Sequence, residues 1–347
     1  MPDITSLDRN FATPDIVEAD RIWRDCRQSP FRVYGLTYEE GRFVRLPLSV
    51  ARGISSGVEN LAAHTAGGRL RFITDSPFIA IRATMDRISR MPHFALSGVA
   101  GFDLYVGPDY TGTFMPPFDM QDGYTSEIRF GDSREREITI HFPTYSGVQS
   151  LLIGLAPEAV LQAAPEYASS LPFVTYGSSI TQGGCVSRPG NCYQNILSRR
   201  LSLDHVNLGF AGNARGELPM AEYISRLPMK AFVLDYDHNA PTAEFLQETH
   251  EPFFRVIREA APDLPILILS RPKANLSDVE KQRLDIIRAT WEHATVSGDR
   301  STFWIDLSES LRDFCGNDGT VDNCHPNDLG FFAMARALEP WFRSHVL

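Results

Sequence analysis

The sequence predicts two domains of different fold class: an all-β sandwich of the jelly-roll kind over residues 1–168, and an α/β domain over residues 169–347. Two observations support this division. Up to about residue 155, short apolar or alternating segments are separated by Gly, Pro, Asp and Ser, with no helical pattern between most of them. From residue 171 onward, apolar segments alternate with helical patterns, which indicates parallel strands joined by crossover helices. Five such strands favour a doubly wound parallel sheet, most simply of flavodoxin-like order.

Composition limits the possible partners. The chain has 347 residues, 43% of them hydrophobic, and a formal net charge of −10. This charge disfavours nucleic acid and anionic membranes as partners. No segment approaches the roughly 20 apolar residues of a membrane helix. The first ten residues lack the basic and apolar regions of a signal peptide, so we expect a cytoplasmic location.

The cysteines point the same way. Their number is odd and the chain is long, which fits a reduced cytosolic protein; they are Cys26, Cys185, Cys192, Cys315 and Cys324. Two pairs are close in sequence, Cys185/Cys192 and Cys315/Cys324, so a disulfide bridge or a metal site remains an alternative. No CxxC occurs, and we expect no metal.

The N-terminal part opens with a predicted helix and continues with strands. Apolar residues at helical spacing predict the helix over Asp15–Arg27. The predicted strands are Arg32–Leu36, Phe43–Leu48, Arg69–Thr74, Phe78–Ala83, Phe102–Val106, Glu127–Phe130, Glu137–Phe142 and Leu151–Leu155. Ser55 lies in a Gly-x-Ser-x-Gly segment, Gly53–Gly57. The stretch after it, residues 58–65, is too short for the helix of a nucleophile elbow, so we do not expect Ser55 to react.

The C-terminal part alternates strands and helices. Its predicted strands are Leu171–Tyr176, Val206–Phe210, Ala231–Tyr236, Ile266–Ser270 and Phe303–Leu307. Helical patterns lie at Asn191–Leu203, Val279–His293 and Leu329–Phe342. Ser277 and Glu280 form a capping-box pair that predicts the start of the second of these helices.

The segment Leu171–Gly184 organises this domain. Its apolar half predicts a buried strand, and Gly177 begins a turn of small residues that carries Ser179. Ligands of open α/β sheets bind at the carboxyl ends of the strands, where Ser179 would lie. The segment is not a phosphate-binding P-loop, because no Gly-Lys-Ser/Thr comes after it. It is not a Gly-x-Ser-x-Gly elbow either, because Thr181 takes the place of the last glycine.

The other strand ends supply complementary groups. The second strand leads into Asn207–Asn213, the third into Asp235–Asn239, and the last helix is preceded by Asp322–Pro326. A serine hydroxyl needs a base within hydrogen-bond reach, which His325 can supply, and Asp322 can orient that imidazole. Candidate oxyanion donors are the Ser179 and Gly212 backbone amides and the Asn239 side-chain amide.

These blocks resemble the SGNH hydrolase superfamily, also called GDSL-type esterases. The Gly-Asp-Ser block of that family matches Gly177–Ser179, with Ser178 in place of Asp. Its glycine block matches Asn207–Gly212, its Gly-x-Asn block matches Asp237–Asn239 with Asp237 in place of Gly, and its Asp-x-x-His block matches Asp322–His325. Gly101–Tyr105 also resembles the GxDLY segment of a β-sandwich domain that precedes some SGNH domains.

The resemblance implies a serine esterase without a cofactor, acting on short acyl groups, acetyl among them, carried by a carbohydrate or another polar alcohol. An acyltransferase with the same residues is the first alternative, and a catalytically silent glycan-binding protein is the second. Arg188, Arg215 and His238 are candidate substrate contacts. Asp235 and Asp237 could suggest a metal pair, but no third ligand is nearby. The oligomeric state is left open.

The β domain is expected to take part in the active site. The linker around residues 163–170 is short and a poor flexible tether. No long lid segment is visible after Leu171, so another part of the chain must shape the pocket. Two loops rich in aromatic and apolar residues are candidates: Met91–Phe94 and Tyr110–Phe118.

Overall fold

The computed structural model describes residues 18–347, in which a β-sandwich precedes a three-layer α/β domain. The strands of the sandwich are β1 (Ile22–Asp25), β2 (Arg32–Tyr34), β3 (Thr37–Glu39), β4 (Arg42–Val44), β5 (Arg69–Thr74), β6 (Phe78–Asp86), β7 (Phe102–Val106), β8 (Asp109–Phe114), β9 (Gly123–Arg129), β10 (Arg136–His141), β11 (Gly147–Leu155) and β12 (Leu161–Gln162). Its helices are α1 (Leu48–Ile54), α2 (Ser56–Ala62) and α3 (Leu96–Ala100), after a 3₁₀ turn at Glu18–Asp20.

Two antiparallel sheets enclose the core of the sandwich. One has the order β1-β11-β6-β9, and the other has the order β12-β5-β10-β7-β8, with β2 paired to β5. Alternate side chains of β6 and β10 point inward, and Ile81, Ile138 and Ile140 are completely buried there. This confirms the predicted sandwich, since all eight strand segments identified in the sequence contain a strand.

The predicted helix at the start of the sandwich is wrong over its described part. Residues 15–17 lie outside the described residues, and Ile22–Asp25 forms edge strand β1 beside β11, with Trp23 opposite Gly154. The apolar spacing of this segment fits a helix as well as a strand. Pairing with the open edge of β11 decides between them, since that edge leaves backbone groups to be satisfied. In the same way, Phe43–Leu48 is only partly a strand, because Leu48 begins helix α1.

The α/β domain contains five parallel strands: β13 (Phe173–Gly177), β14 (His205–Gly209), β15 (Ala231–Asp235), β16 (Ile266–Leu269) and β17 (Thr302–Ile305). Its helices are α4 (Ser179–Gln182), α5 (Tyr193–Leu201), α6 (Leu218–Ile224), α7 (Ala243–Ala260), α8 (Asp278–Val296), α9 (Leu307–Phe314) and α10 (Asp328–His345), with 3₁₀ turns at Pro189–Asn191 and Gly316–Gly319. The order β14-β13-β15-β16-β17 is the predicted flavodoxin-like order. The capping box of Ser277 and Glu280 at the start of α8 is confirmed.

The sandwich supplies part of the core of the α/β domain. Leu46, Ala51 and Val58, from α1, α2 and the segment before them, are buried in one apolar cluster with Leu208 and Phe210 of the second domain. Burial of apolar area contributes roughly 25 cal/mol per Å². The two domains are therefore joined by a shared core as well as by the linker.

The segment that resembles GxDLY forms a second junction. The Asp103 carboxylate is buried and accepts hydrogen bonds from the Gly190 N–H (2.7 Å) and the Arg188 guanidinium (3.1 Å). Burial raises the pKa of Asp103, although Arg188 and the Gly190 N–H oppose the shift. Arg188 also donates to the Tyr105 hydroxyl at 2.5 Å. The segment therefore docks the sandwich against the loop that comes after the serine turn.

Among the described residues, 18–347, none of the helices is both long enough and apolar enough to cross a bilayer.

Candidate active site

Ser179 lies at the first turn after the interior strand β13. A Cβ on Gly177 would come within 2.3 Å of the Asp235 carbonyl oxygen, so only glycine allows β13 to end this close to β15. Ser178 caps the short helix α4 by accepting the Ile180 N–H at 3.2 Å. This cap gives a physical reason for a serine at the position where the family has aspartate. Ser179 is the first residue of α4, and its side chain is half-buried.

Asp322 and His325 share one tight loop before α10. The loop is closed by a bridge between Thr320 and Pro326 and by a hydrogen bond from the Val321 N–H to the His325 carbonyl oxygen (2.9 Å). Asn323 takes the left-handed conformation, with φ of 60°, which turns the chain sharply after Asp322.

The three side chains form a continuous hydrogen-bonded relay. The Ser179 Oγ lies 2.9 Å from His325 Nε2, and His325 Nδ1 lies 2.8 Å from Asp322 Oδ2. The other oxygen of Asp322 accepts the backbone N–H groups of His325 (2.7 Å) and Cys324 (3.1 Å). Burial opposes ionisation of Asp322, but the hydrogen bonds from His325 outweigh it and hold the pKa of this carboxyl below its ordinary value. An ionised Asp322 can orient the imidazole so that Nε2 accepts the serine proton.

The candidate oxyanion donors lie on the loops after β14 and β15 and at the start of α4. Gly212 has φ of 69°, and a Cβ there would meet no atom within 4 Å, so the space around its backbone is open. The Asn239 side-chain amide donates to the Phe210 carbonyl oxygen at 2.9 Å, which fixes it against the Gly212 loop and leaves its second N–H for another acceptor. The Ser179 N–H, at the first position of a helix, has no acceptor within that helix. The arrangement can activate a serine for acyl transfer.

Comparisons with known proteins identify the family of both parts of the chain. Residues 170–343 match the model of the GDSL-like lipase/acylhydrolase family, and residues 21–161 match the GxDLY model, the N-terminus of SGNH-hydrolase-type esterases. The chain belongs to the GDSL-like lipase/acylhydrolase family. It is a serine hydrolase of the esterase type.

Several solved structures share the two-domain fold. A GDSL-like lipase from Bacteroides ovatus superposes with a TM-score of 0.83 at 26% identity, over 93% of this chain and 97% of that one. The salicylyl-acyltransferase SsfX3 from a tetracycline biosynthetic pathway gives 0.76 at 21%, over 94% and 99%. A family two carbohydrate esterase from Cellvibrio japonicus gives 0.61 at 14%, over 94% and 98%. No curated protein matches significantly.

In this GDSL-family hydrolase the loop after β15 is held by buried charges. Asp237, at the position of a family glycine, pairs with Arg271 at 2.9 Å. Burial opposes ionisation of Asp237, but the neighbouring positive charges outweigh it and lower its pKa. Arg283 donates to the carbonyl oxygens of Asp237 (2.9 Å) and Ala240 (2.8 Å). Burial lowers the pKa of His238 to about 4, so this ring is neutral near pH 7. The Asp237 ion pair therefore fixes the loop that carries Asn239.

Asp235 and Asp237 have different partners in the structure. The Asp235 carboxyl accepts the Thr181 hydroxyl at 2.7 Å, whereas Asp237 pairs with Arg271.

The two candidate arginines differ in position. Arg215 is exposed, and its Nε donates to the Gly212 carbonyl oxygen at 3.2 Å, so it borders the oxyanion loop. Arg188 is turned toward the sandwich, where its guanidinium contacts Asp103 and Tyr105 and lies 3.8 Å from the Tyr110 ring centroid. Substrate binding by either arginine stays a prediction, and the contacts of Arg188 are those of a domain junction.

Ser55 has a structural position. It caps α2 by accepting the Val58 N–H at 3.1 Å. The helix after it, α2, is present although the sequence pattern did not predict one there. The described contacts of Ser55 are those of a helix cap.

The sandwich reaches the relay through the Met91–Phe94 loop. The Phe94 ring packs edge-on at 6.3 Å from the His325 ring, and the His93 ring lies 5.8 Å from it. Tyr145, also from the sandwich, donates its hydroxyl to the Ser179 carbonyl oxygen at 3.1 Å. The sequence indicated the loop by its aromatic content, but nothing in it indicated Tyr145, because this contact joins residues 34 positions apart in different domains.

An apolar cavity of about 410 Å³ lies against the same loop. It is lined by Ser89, Arg90, Met91, Pro92, Phe94, Leu96, Val99 and Phe118. Arg90 donates to the Phe118 carbonyl oxygen at 2.7 Å, which ties together the two loops that the sequence singled out. The volume falls in the range of small-molecule sites, about 300–1,000 Å³. Phe94 therefore borders both this cavity and the imidazole of the relay.

Proposed function

We propose that this protein hydrolyses short-chain acyl esters, acetyl esters among them, of carbohydrates or other polar alcohols. Ser179 attacks the ester carbonyl while His325 takes its proton. Asn239 and the Ser179 and Gly212 N–H groups hold the oxyanion. His325 then protonates the departing alcohol, and water, activated by the same imidazole, releases the acid from the acyl-enzyme.

The observation that carries the proposal is the unbroken relay from Ser179 to Asp322, with hydrogen bonds of 2.9 and 2.8 Å. The polar alcohol is supported by similarity to proteins described as carbohydrate esterases, among them an acetyl xylan esterase from Butyrivibrio proteoclasticus, at 14% identity and a TM-score of 0.60. We further propose a cytoplasmic location, in keeping with five free thiols.

The test is a substrate panel with a matched control. Purified protein is assayed with p-nitrophenyl acetate, butyrate and octanoate and with acetylated xylo-oligosaccharides, beside Ser179→Ala and Ser55→Ala. We expect turnover of the short esters, labelling of Ser179 by a fluorophosphonate, and loss of both in Ser179→Ala alone. Turnover by Ser179→Ala at the wild-type rate would contradict the proposed nucleophile. A preference for octanoate would contradict the short acyl group.

Acyl transfer to an alcohol acceptor is the second candidate. The apolar cavity beside Phe94 favours it. His325 must protonate the departing alcohol and deprotonate the incoming one, so both alcohols bind next to its imidazole. Phe94 borders this ring and also lines the cavity, which places the cavity near the position of the alcohol. The fold shared with SsfX3 is compatible with acyl transfer. Adding an aryl or alkyl alcohol to the ester assay and measuring the ratio of new ester to free acid separates the two activities.

A further inference from the structure

Three side chains of types that can bind metals lie close together, and one of them is His325, the proposed base. They come from separate segments: His93 from the loop after β6, Cys185 from the loop after α4, and His325 from the loop before α10. One ligand atom from each lies within 4.8 Å of the other two. Imidazole nitrogen and thiolate sulfur are the donors that zinc and similar borderline cations prefer.

The spacing is close to that of a tetrahedral site. Zinc–nitrogen and zinc–sulfur bonds of about 2.0–2.3 Å place neighbouring ligand atoms roughly 3.4–3.6 Å apart. The ligand atoms here lie within 4.8 Å of one another, so the widest gap exceeds the tetrahedral spacing by no more than about 1.4 Å. Cys185 is buried, whereas His93 and His325 are more accessible to solvent. Rotation of the His93 side chain, on its loop of the sandwich, is the movement that would close the gap.

The hydrogen bond between Asp322 and His325 is of the kind found at metal-binding histidines. Asp322 binds Nδ1 at 2.8 Å, so Nε2, which contacts Ser179 Oγ at 2.9 Å, is the nitrogen left to bind a cation. Histidines that bind metals commonly donate their second ring N–H to a carboxylate in this way, which makes them more basic ligands.

We propose that His93, Cys185 and His325 form an inhibitory site for Zn²⁺. The cation takes the Nε2 lone pair of His325 and the sulfur of Cys185, whose thiol proton leaves to solvent, and His93 completes the protein ligands. Water or Ser179 Oγ fills the fourth position. The imidazole that should accept the serine proton is then occupied, so the metal-bound enzyme is inactive. The inhibitory effect rests on the proposed function, whereas metal binding does not.

Binding is tested without any activity. Full-length reduced Ser179→Ala protein is titrated with Co²⁺, a spectroscopic substitute for Zn²⁺. We expect one equivalent to bind with a thiolate-to-cobalt absorption band, which Zn²⁺ abolishes. Adding Cys185→Ser should remove the band, whereas adding Cys315→Ser should leave it. Absence of the band, or its loss with Cys324→Ser in place of Cys185→Ser, would overturn the site.

Inhibition is tested by zinc titration of the esterase rate. Each variant is normalised to its own metal-free rate, measured after chelation. His93→Asn should need at least tenfold more Zn²⁺ for half-inhibition than the wild type. His293→Asn, which changes an exposed histidine paired with Glu251, should not differ from the wild type. Equal inhibition of the His93 and His293 variants would refute the role of His93, and full activity of the metal-bound enzyme would refute inhibition. A protein that binds Co²⁺ but hydrolyses no ester would refute the proposed function alone.

Discussion

Replacing Asp322 by Asn tests whether both carboxylate oxygens of Asp322 are needed for the hydrogen bonds that position His325. Asp322 accepts on both sides: one oxygen faces His325 Nδ1, and the other faces the N–H groups of Cys324 and His325. Asparagine keeps one acceptor and adds two donors. If its oxygen faces Nδ1, its NH₂ group meets two backbone donors. If its NH₂ group faces Nδ1, the imidazole proton moves to Nε2, and His325 can no longer accept from Ser179.

Both orientations therefore impair the base. We expect Asp322→Asn to lower kcat by about 10⁴, the scale measured for the corresponding change in the serine-protease triad, which amounts to roughly 5.5 kcal/mol of transition-state stabilisation. The assay is kcat and KM on p-nitrophenyl acetate, with the melting temperature as a check of folding.

A matched control removes the same charge from the same segment. Asp318→Asn alters an exposed carboxylate seven residues from His325, where the described contact is made by the backbone carbonyl of Asp318. It should retain kcat within a factor of about two. A folded Asp322→Asn enzyme with kcat within tenfold of the wild type would refute the assigned role of Asp322.

The buried Asp235, the domain junction and the cysteines each give a further prediction. Burial raises the pKa of Asp235 to about 8. Between about pH 4 and pH 8 the unfolded chain therefore releases a proton that the folded chain keeps, so the stability of the fold decreases as the pH rises. In thermal melts over this pH range, Asp235→Asn should show a smaller decrease in melting temperature than the wild type. A fragment of residues 166–347 should be poorly soluble or inactive, because it exposes the apolar cluster that Phe210 shares with α1 and α2. A soluble monomeric fragment with full kcat/KM would contradict this. Thiol titration of the unfolded, unreduced protein should count five cysteines, and a count of three or one would contradict cytoplasmic localisation.

Much of the proposed site was accessible from local pattern. Parallel strands end at a common edge, so polar residues after β13, β14 and β15 were expected near one another without knowledge of any contact. The short spacing of Asp322 and His325 similarly placed both on one loop. Ser179, Asp322 and His325 are indeed joined, and Asn239 lies against the Gly212 loop.

The local sequence pattern gave a wrong secondary structure where pairing with another segment decides it. Ile22–Asp25 has spacing that suits a helix or a strand, and the free edge of β11 makes it a strand. The position of Arg188 also depends on distant residues: Asp103, 85 residues earlier in the chain, and Tyr105 hold its guanidinium at the domain junction, and substrate binding by Arg188 stays a prediction.

The sequence by itself determined the two fold classes, the strand order and the residues that end each parallel strand, because apolar periodicity and the geometry of parallel sheets act over short stretches of chain. Only the tertiary structure decided which groups surround the imidazole. His93 and Phe94 reach His325 because the sandwich docks through a shared core and a buried aspartate, and Cys185 meets them there from the α/β domain. That docking depends on surfaces assembled from distant segments, whose complementarity no local pattern records.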